Sequence, residues 1–135
     1  MSLKGKTAII TGSTSGIGYG LAKCFSGSGM NIVLNGLGDQ EEIEKKRQDI
    51  SANGVQCIYD GADMTKPDEI VAMVERAKSE FGSVDVLVNN AGIQNVAPVD
   101  EFPPAKWDAI IAINLSSAFH TTRTAVPMMK EQGWG

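Results

Sequence analysis

The sequence predicts an α/β fold in which an open parallel sheet has helices on both faces. Two observations support this: four short, mostly apolar runs rich in β-branched residues alternate with segments of helical length, and no polar linker or low-complexity tract divides the 135 residues. Such runs are typical of strands buried on both faces of a parallel sheet. Right-handed crossovers between them favour the strand order 3-2-1-4. We therefore expect a single domain over residues 1–135.

The predicted elements follow from local signals along the chain. The four strands are expected at Thr7–Ile10, Asn31–Leu34, Val55–Tyr59 and Val84–Val88, and helices at about 16–28, 40–52, 67–80 and 103–131. Asp39, with Glu42 three positions on, is a candidate N-cap for the second helix. Thr65 is a candidate N-cap for the third, ahead of Pro67. Pro127 predicts a kink or a break near that point of the last helix.

Composition limits the classes of partner. The chain is 42% hydrophobic and 21% charged, with a net charge of −4 and scattered Lys and Arg, which argues against binding to nucleic acid or to a membrane surface. No apolar run approaches the ~18 residues of a membrane span, and the start lacks the layout of a signal peptide. We expect a cytoplasmic protein. Cys24 and Cys57 lie too far apart for a metal site and are both interpreted as buried thiols.

The strongest chemical signal is the turn Thr11–Gly18, read Thr-Gly-Ser-Thr-Ser-Gly-Ile-Gly, directly after the first strand. Glycines let the backbone approach a ligand closely, and the N–H groups at a helix start bind the pyrophosphate of a dinucleotide. A nucleoside triphosphate loop is excluded, because it requires Lys and Ser or Thr after its last glycine. The alternative is a turn that only links strand and helix. The predicted cofactor-binding residues of this turn are Gly12, Thr14, Ser15, Gly16, Ile17 and Gly18.

Three later motifs complete a resemblance to a known family. They are Asp63-Met64-Thr65 after the third strand, Asn89-Asn90-Ala91-Gly92 at the end of the fourth, and Asn114 within Ile113-Asn114-Leu115-Ser116. Together with the Thr-Gly-x-x-x-Gly-x-Gly spacing, the whole chain resembles the short-chain dehydrogenases/reductases. The resemblance implies a Rossmann-type fold and an adenine-binding turn at Asp63 and Met64. It also implies a ribose wall at Asn90, Ala91 and Gly92, and makes Asn114 a catalytic asparagine in an irregular helix.

Each motif also has a structural interpretation. Asp63 is compatible with the start of a loop, and Asn89 with a tie between backbone segments, which we favour for Asn89. Asp63 and Asn90 follow the carboxyl ends of strands, where ligands bind in open α/β sheets, so we expect them to contact the cofactor. Asn114 is a mediocre helix former within an apolar helical stretch, and we expect a functional bend there.

The end of the second strand bears on the choice of cofactor. An acid here favours a free ribose 2′-hydroxyl and an Arg favours a 2′-phosphate, yet Asn35-Gly36-Leu37-Gly38 supplies neither. Asp39 lies near the expected distance but suits a helix cap better. Since no basic residue follows the strand to pair with a phosphate, we expect NAD rather than NADP, with Leu37 beside it. No metal is expected.

The substrate is a finer inference. Residues 35–38, Ile93-Gln94 and residues 130–135 resemble a branch of the family that oxidises D-3-hydroxybutyrate to acetoacetate. That resemblance makes Gln94 a ligand of the substrate carboxylate, although a solvated loop residue is an equal alternative, and a reductase of a 3-oxoacyl thioester remains open. It also implies a homo-oligomer, a tetramer in the family. His120 is interpreted as a packed or surface residue, and Trp107 and Trp134 as packing anchors.

The family's remaining catalytic groups are a serine and a Tyr-x-x-x-Lys that follow a fifth strand, and neither follows in the 135 residues. Tyr19 and Lys23 match the spacing literally, but they lie in the predicted phosphate-binding helix, which argues against catalysis. Two classes of function therefore remain. One is an NAD-dependent oxidoreductase of which this is the N-terminal portion, inactive alone, and the other is a non-catalytic nucleotide-binding or assembly module.

Overall fold

The computed structural model, which describes residues 2–135, alternates strands and helices. The strands are β1 Thr7–Ile10, β2 Asn31–Asn35, β3 Cys57–Asp60 and β4 Val86–Val88. The helices are α1 Gly16–Gly27, α2 Gln40–Ser51, α3 Pro67–Phe81, α4 Pro104–Ile111 and α5 Ser117–Gln132, with a π-helical turn Ala112–Ser116 between the last two. The strands are parallel and lie in the order β3-β2-β1-β4, which confirms the predicted topology. The third and fourth strands start two residues later than predicted.

Alternate residues of the central strands serve two separate cores. Ile9 of β1 lies opposite Val33 of β2, and both pack against α3 and α5. Their neighbours Ile10 and Leu34 face the other way and pack with Ala22 of α1 and with α2. All five side chains are fully buried. The expectation of helices on both faces is thus confirmed, because a strand sends successive side chains to opposite sides of the sheet.

The starts of α2 and α3 show one correct and one wrong prediction. The Asp39 carboxylate accepts the N–H of Glu42 at 3.0 Å and caps α2 as expected. Lys66, not Thr65, occupies the N-cap position of α3, and its side chain makes no capping hydrogen bond. The carboxylate of Asp63 accepts both the N–H of Thr65, at 2.8 Å, and its hydroxyl, at 2.7 Å. These bonds keep Thr65 in the turn before the helix.

The last helical segment is irregular, but not where its proline predicts. α5 continues through Pro127, so a break at that residue is wrong, whereas a kink there stays a prediction. Pro127 and Arg123 both lie on the exposed side of the helix, where water can hydrate the carbonyl that loses its N–H partner. The irregularity is the π-helical turn, and it contains Asn114. This is where the bend was expected.

Several isolated side chains correct or refine the expectations. Cys57 is buried, but Cys24 is exposed on the outer side of α1, so the prediction of two buried thiols is wrong for Cys24. Trp107 is 60% exposed and is not a packing anchor within residues 2–135. Trp134 does pack, with the ammonium of Lys6 lying 3.9 Å from its ring centroid.

His120 lies on α5, with its ring edge-to-face on that of Phe119 at 5.3 Å between centroids. Across residues 2–135, no group of three His, Cys, Asp or Glu side chains is placed to hold a metal ion. Within the same range, none of the helices has the length and apolar character needed to cross a membrane.

Candidate functional site

A cavity of about 580 Å³ opens at the carboxyl ends of the strands. It brings together every predicted cofactor-binding residue except Gly18. Its lining is formed by Gly12, Thr14, Ser15, Gly16, Ile17, Asn35, Gly36, Leu37, Ala62, Asp63, Met64, Asn90, Ala91, Gly92, Ile93 and Ile113. This edge of an open parallel sheet is where such folds bind ligands.

The glycine-rich turn is shaped for close approach of a ligand to the backbone. Gly12 and Gly16 have φ of 64° and 56°, which disfavour any residue with a side chain. The first backbone bond of α1 runs from Tyr19 to the carbonyl of Ser15 at 3.2 Å. The preceding N–H groups, from Gly16 onward, have no partner within the helix and lie at its positive end. The turn can therefore bind an anionic group.

Gly18 has a different role from its neighbours. It is buried, and a Cβ there would lie 2.5 Å from the carbonyl oxygen of Gly12 and 2.6 Å from the side-chain nitrogen of Asn90. Its lack of a side chain allows α1 to pack closely on the turn. Gly18 does not line the cavity, so the structure shows a packing role for it, and a contact of its backbone N–H with the cofactor stays a prediction.

Asn90 holds the turn from the side of β4. Its side-chain nitrogen donates to the carbonyls of Thr11 and Gly12 at 3.0 and 3.1 Å. The hydroxyl of Thr11 in turn accepts the N–H groups of Asn90 and Ala91, both at 3.0 Å. Asn90 thus lines the cavity with its amide donors already engaged, so it shapes the turn.

Asn89 has the structural role that was favoured for it. Its side-chain oxygen accepts the hydroxyl of Thr121 at 2.5 Å, and its nitrogen donates to Thr122 at 3.3 Å. These bonds join the end of β4 to α5.

Asn35 is a site residue that sequence reasoning missed. It is 1% exposed, its side-chain oxygen accepts the N–H of Gly12 at 3.2 Å, and its nitrogen donates to the carbonyls of Asp60 and Ala62, both at 3.0 Å. One amide therefore joins β2, the glycine-rich turn and the segment after β3. The available signal was an amide at the end of an otherwise apolar strand, because a buried amide needs several partners.

Asp63 enters the cavity as an acceptor. The N–H of Thr65 and then its hydroxyl, both donating to the carboxylate, lower the pKa of Asp63. Its own N–H donates to Glu69 at 2.7 Å, which fixes the turn. An ionised carboxylate at this position suits an amine donor on a ligand.

A second cavity, of about 660 Å³, adjoins the first at Ile93, which lines both. The predicted catalytic residue Asn114 and the predicted substrate ligand Gln94 line this second cavity together with Trp107. Asn114 accepts the N–H of Ile93 and donates to its carbonyl, each at 2.9 Å. The π-helical turn thus positions the loop that carries Gln94.

Tyr19 and Lys23 lie away from both cavities, between α1 and α2. The Tyr19 hydroxyl donates to Asp49 at 2.7 Å, and the Lys23 ammonium lies 3.8 Å from the same carboxylate. Burial, followed by this hydrogen bond, raises the pKa of Tyr19 to about 12. The placement agrees with the interpretation that the Tyr-x-x-x-Lys spacing here is a coincidence.

The family model for short chain dehydrogenases matches residues 6–135. The chain belongs to the short-chain dehydrogenase family, whose members bind a nicotinamide dinucleotide and act on small molecules. It is 55% identical over 133 residues to a D-beta-hydroxybutyrate dehydrogenase of Cupriavidus necator, covering 98% of this chain and 51% of the relative. It is 36% identical over 130 residues to a 3-oxoacyl-[acyl-carrier-protein] reductase of Staphylococcus aureus, covering 96% of this chain and 53% of the relative.

The solved structures include a close likeness. A metagenomic short-chain oxidoreductase in complex with NADP superposes with a TM-score of 0.92 at 33% identity, covering 100% of this chain and 61% of that one. The chain spans about half the length of the relatives it matches.

Proposed function

We propose that residues 1–135 are the N-terminal, dinucleotide-binding portion of a single-domain, NAD-dependent dehydrogenase that oxidises D-3-hydroxybutyrate to acetoacetate. The observation that carries the proposal is the cavity at the glycine-rich turn, with its left-handed glycines and the free N–H groups of α1. These features fit a dinucleotide, since they allow a pyrophosphate to approach the backbone. The 55% identity to a D-beta-hydroxybutyrate dehydrogenase supports the choice of substrate.

Several of the lining residues then have a task toward the dinucleotide. The N–H groups at the start of α1 hold the pyrophosphate, and each bond to a charged group contributes about 1.5–3 kcal/mol. Asp63 accepts from the adenine amine beside Met64, and Leu37 covers the ribose. Bound NAD supplies the hydride acceptor. Ala91 and Gly92 form another wall of the cavity, which we assign to the ribose.

The choice of NAD rests on the end of β2. Gly36, Leu37 and Gly38 supply no Arg for a 2′-phosphate and no carboxylate for a 2′-hydroxyl. The structure also places a basic residue beside the glycine-rich turn, which the sequence did not predict. The ammonium of Lys46 donates to the carbonyl of Thr14 at 2.6 Å. It keeps its positive charge and two further donors in that bond, so Lys46 does not favour NAD over NADP. A neighbouring structure contains NADP, so binding of both cofactors should be compared.

The substrate side is assigned to the second cavity. We assign Gln94 to the substrate carboxylate and Asn114 to the proton path. Neither Tyr59 nor Tyr19 lines either of the two cavities, so neither supplies a tyrosine acid or base to them. We therefore expect the 135 residues alone to form no NADH from 3-hydroxybutyrate. A cytoplasmic location and assembly into a homo-oligomer remain predictions.

A second candidate is reduction of a 3-oxoacyl thioester. The mainly apolar lining of the second cavity, with Val99, Phe102 and Ile110, favours it, and one relative carries that name. The longer protein that contains this chain should be assayed with acetoacetate and with a 3-oxoacyl thioester. Preference for the thioester would replace the hydroxybutyrate assignment, and no turnover of either would favour a non-catalytic binding module.

Calorimetry with NAD tests the binding site itself. Gly16→Val should abolish measurable binding, because a side chain would enter the space needed by the pyrophosphate. Gly5→Val is the matched control, since Gly5 also has a positive φ, of 80°, and open space around it, but does not line the cavity. Equal NAD binding by the parent and Gly16→Val would contradict the assignment.

A further inference from the structure

The loop after β2, residues 36–38, borders the cavity and contains no charged side chain. Gly36 and Gly38 have φ of 152° and 148°, and a Cβ on Gly36 would collide with the hydroxyl of Thr14. Leu37 between them is 77% exposed and lines the cavity. Because none of these three residues has a polar side chain, any hydrogen bond from this loop to a ligand must come from its peptide groups.

That placement is set from outside the cavity by Tyr59. Its hydroxyl donates to the carbonyl of Gly36 at 2.6 Å. Tyr59 stands on β3 opposite Leu34 of β2, and its ring packs on the core that contains Ile10. The ring is thus held by the sheet, while only the hydroxyl reaches the loop. A second donor, the Thr14 hydroxyl, reaches the next carbonyl, that of Leu37, at 3.1 Å.

The hydrogen bond from Tyr59 to the Gly36 carbonyl also fixes the direction of the Leu37 N–H, which belongs to the same peptide group. A trans peptide is planar, so its carbonyl and N–H point in opposite directions. With the Gly36 carbonyl held toward Tyr59, the N–H of Leu37 points away from Tyr59. An N–H in this place can donate to a hydroxyl oxygen of a ribose, which dinucleotide folds bind at the end of the second strand.

We propose that Tyr59 is a positioning residue for the adenosine half of the cofactor, acting through the Gly36–Leu37 peptide. The inference rests on the proposed function, because it needs a dinucleotide in the cavity. Its role differs from that of the lining residues, since Tyr59 does not line the cavity. Because the loop is already fixed, less conformational entropy is lost when the cofactor binds.

The chain contains a matched control for this role. Tyr19 is the other of its two tyrosines, and its hydroxyl donates to Asp49 at 2.7 Å, away from the cavity. Tyr59→Phe and Tyr19→Phe each remove one oxygen and one hydrogen bond of nearly equal length. Only the first bond belongs to the loop.

The experiment measures the affinity of the 135-residue chain for NAD and for 5′-AMP by calorimetry, with amide hydrogen exchange of residues 36–38. Tyr59→Phe should weaken both ligands by the same factor, roughly 3- to 10-fold, as expected for one hydrogen bond. It should speed exchange in the loop but not at Ile32, a buried residue of β2. Tyr19→Phe should leave both affinities and the loop unchanged.

Each other outcome overturns the inference in a recognisable way. Unchanged affinities in Tyr59→Phe would show that the loop needs no support from Tyr59. A loss of affinity accompanied by faster exchange at Ile32 would show a general effect on stability. A parent chain that binds neither ligand would overturn the proposed function, and this inference with it.

Discussion

The carboxylate of Asp85 accepts the backbone N–H of Thr7 at 2.8 Å, joining two residues that are 78 positions apart. Thr7 is fully buried and Asp85 is 5% exposed. The same carboxylate accepts the hydroxyl of Ser83 at 2.6 Å and the side-chain nitrogen of Gln132 at 3.1 Å, and lies 3.6 Å from the ammonium of Lys6. It therefore fastens the amino ends of β1 and β4 to each other and to the end of α5, at the edge of the sheet opposite the cavity.

Asp85→Ala should lower the free energy of unfolding by about 2–4 kcal/mol, because it leaves a buried N–H and several donors without an acceptor. Urea denaturation measures this change. Asp49→Ala is the control, since that carboxylate is 55% exposed and pairs with Lys23. Its loss should change stability by no more than about 1 kcal/mol. Equal effects of the two substitutions would contradict the role of Asp85.

Gly18→Ala should destabilise the chain by about 1–3 kcal/mol, because the new Cβ collides with the Gly12 carbonyl and the Asn90 amide. Gly20→Ala lies one half-turn further along the same helix with nothing within 4 Å of its new Cβ. It should stabilise the chain by about 0.5–1 kcal/mol through helix propensity. Thermal unfolding of both variants decides the matter, and a Gly18→Ala chain as stable as Gly20→Ala would refute the packing role.

The two cysteines should differ in reactivity toward an aromatic disulfide reagent at pH 8. Burial raises the pKa of the Cys57 thiol to about 12 from an ordinary value of 9.0, so the folded chain keeps it protonated and unreactive. Unfolding above pH 9 therefore releases a proton, and this group lowers stability as the pH rises from about 9 to about 12. Cys24→Ala should leave a chain whose remaining thiol reacts only in urea. Rapid reaction of that variant in the folded state would be the contrary result.

The isolated chain should self-associate. Leu115 and Phe119 are 65% and 62% exposed, and their spacing places them on one side of the helical segment. β4 pairs only with β1 among residues 2–135, so its other edge is open as well. Sedimentation at micromolar concentration should show oligomers that Phe119→Glu reduces. Val96→Glu, at a residue 94% exposed in a loop, is the control and should change nothing. A parent chain that sediments as a folded monomer would contradict the prediction.

The fold was predictable where its signals are local. The glycines around Gly16 mark the turn and the start of α1, and the apolar runs mark the strands. The start of α3 was not predictable in this way. Thr65 is a suitable N-cap residue, but its N–H and hydroxyl both donate to the carboxylate of Asp63 instead. The exposure of Cys24 did have a signal. Ala22 and Ser26 form the buried stripe of α1, and a residue two positions from each does not share their face.

The residues of the candidate site also differ in whether a local sequence signal predicts them. Residues such as Gly12 and Asp63 lie next to strand ends in sequence, so their placement at the cavity could be expected. The supports behind them could not, because they depend on partners brought together by the sheet. Tyr59 acts on Gly36 across 23 residues, and Lys46 acts on Thr14 across 32. A sequence shows which residues can donate hydrogen bonds, but it does not show which distant acceptors the fold brings to them.

The amide of Asn35 has a consequence for how binding and folding depend on each other. It holds Gly12 on one side and the carbonyls of Asp60 and Ala62 on the other, so the turn and the outer strand share one side chain. Coupling of this kind is reciprocal. A ligand that the turn binds more tightly when β3 is in place must in return lower the population of molecules in which β3 is frayed.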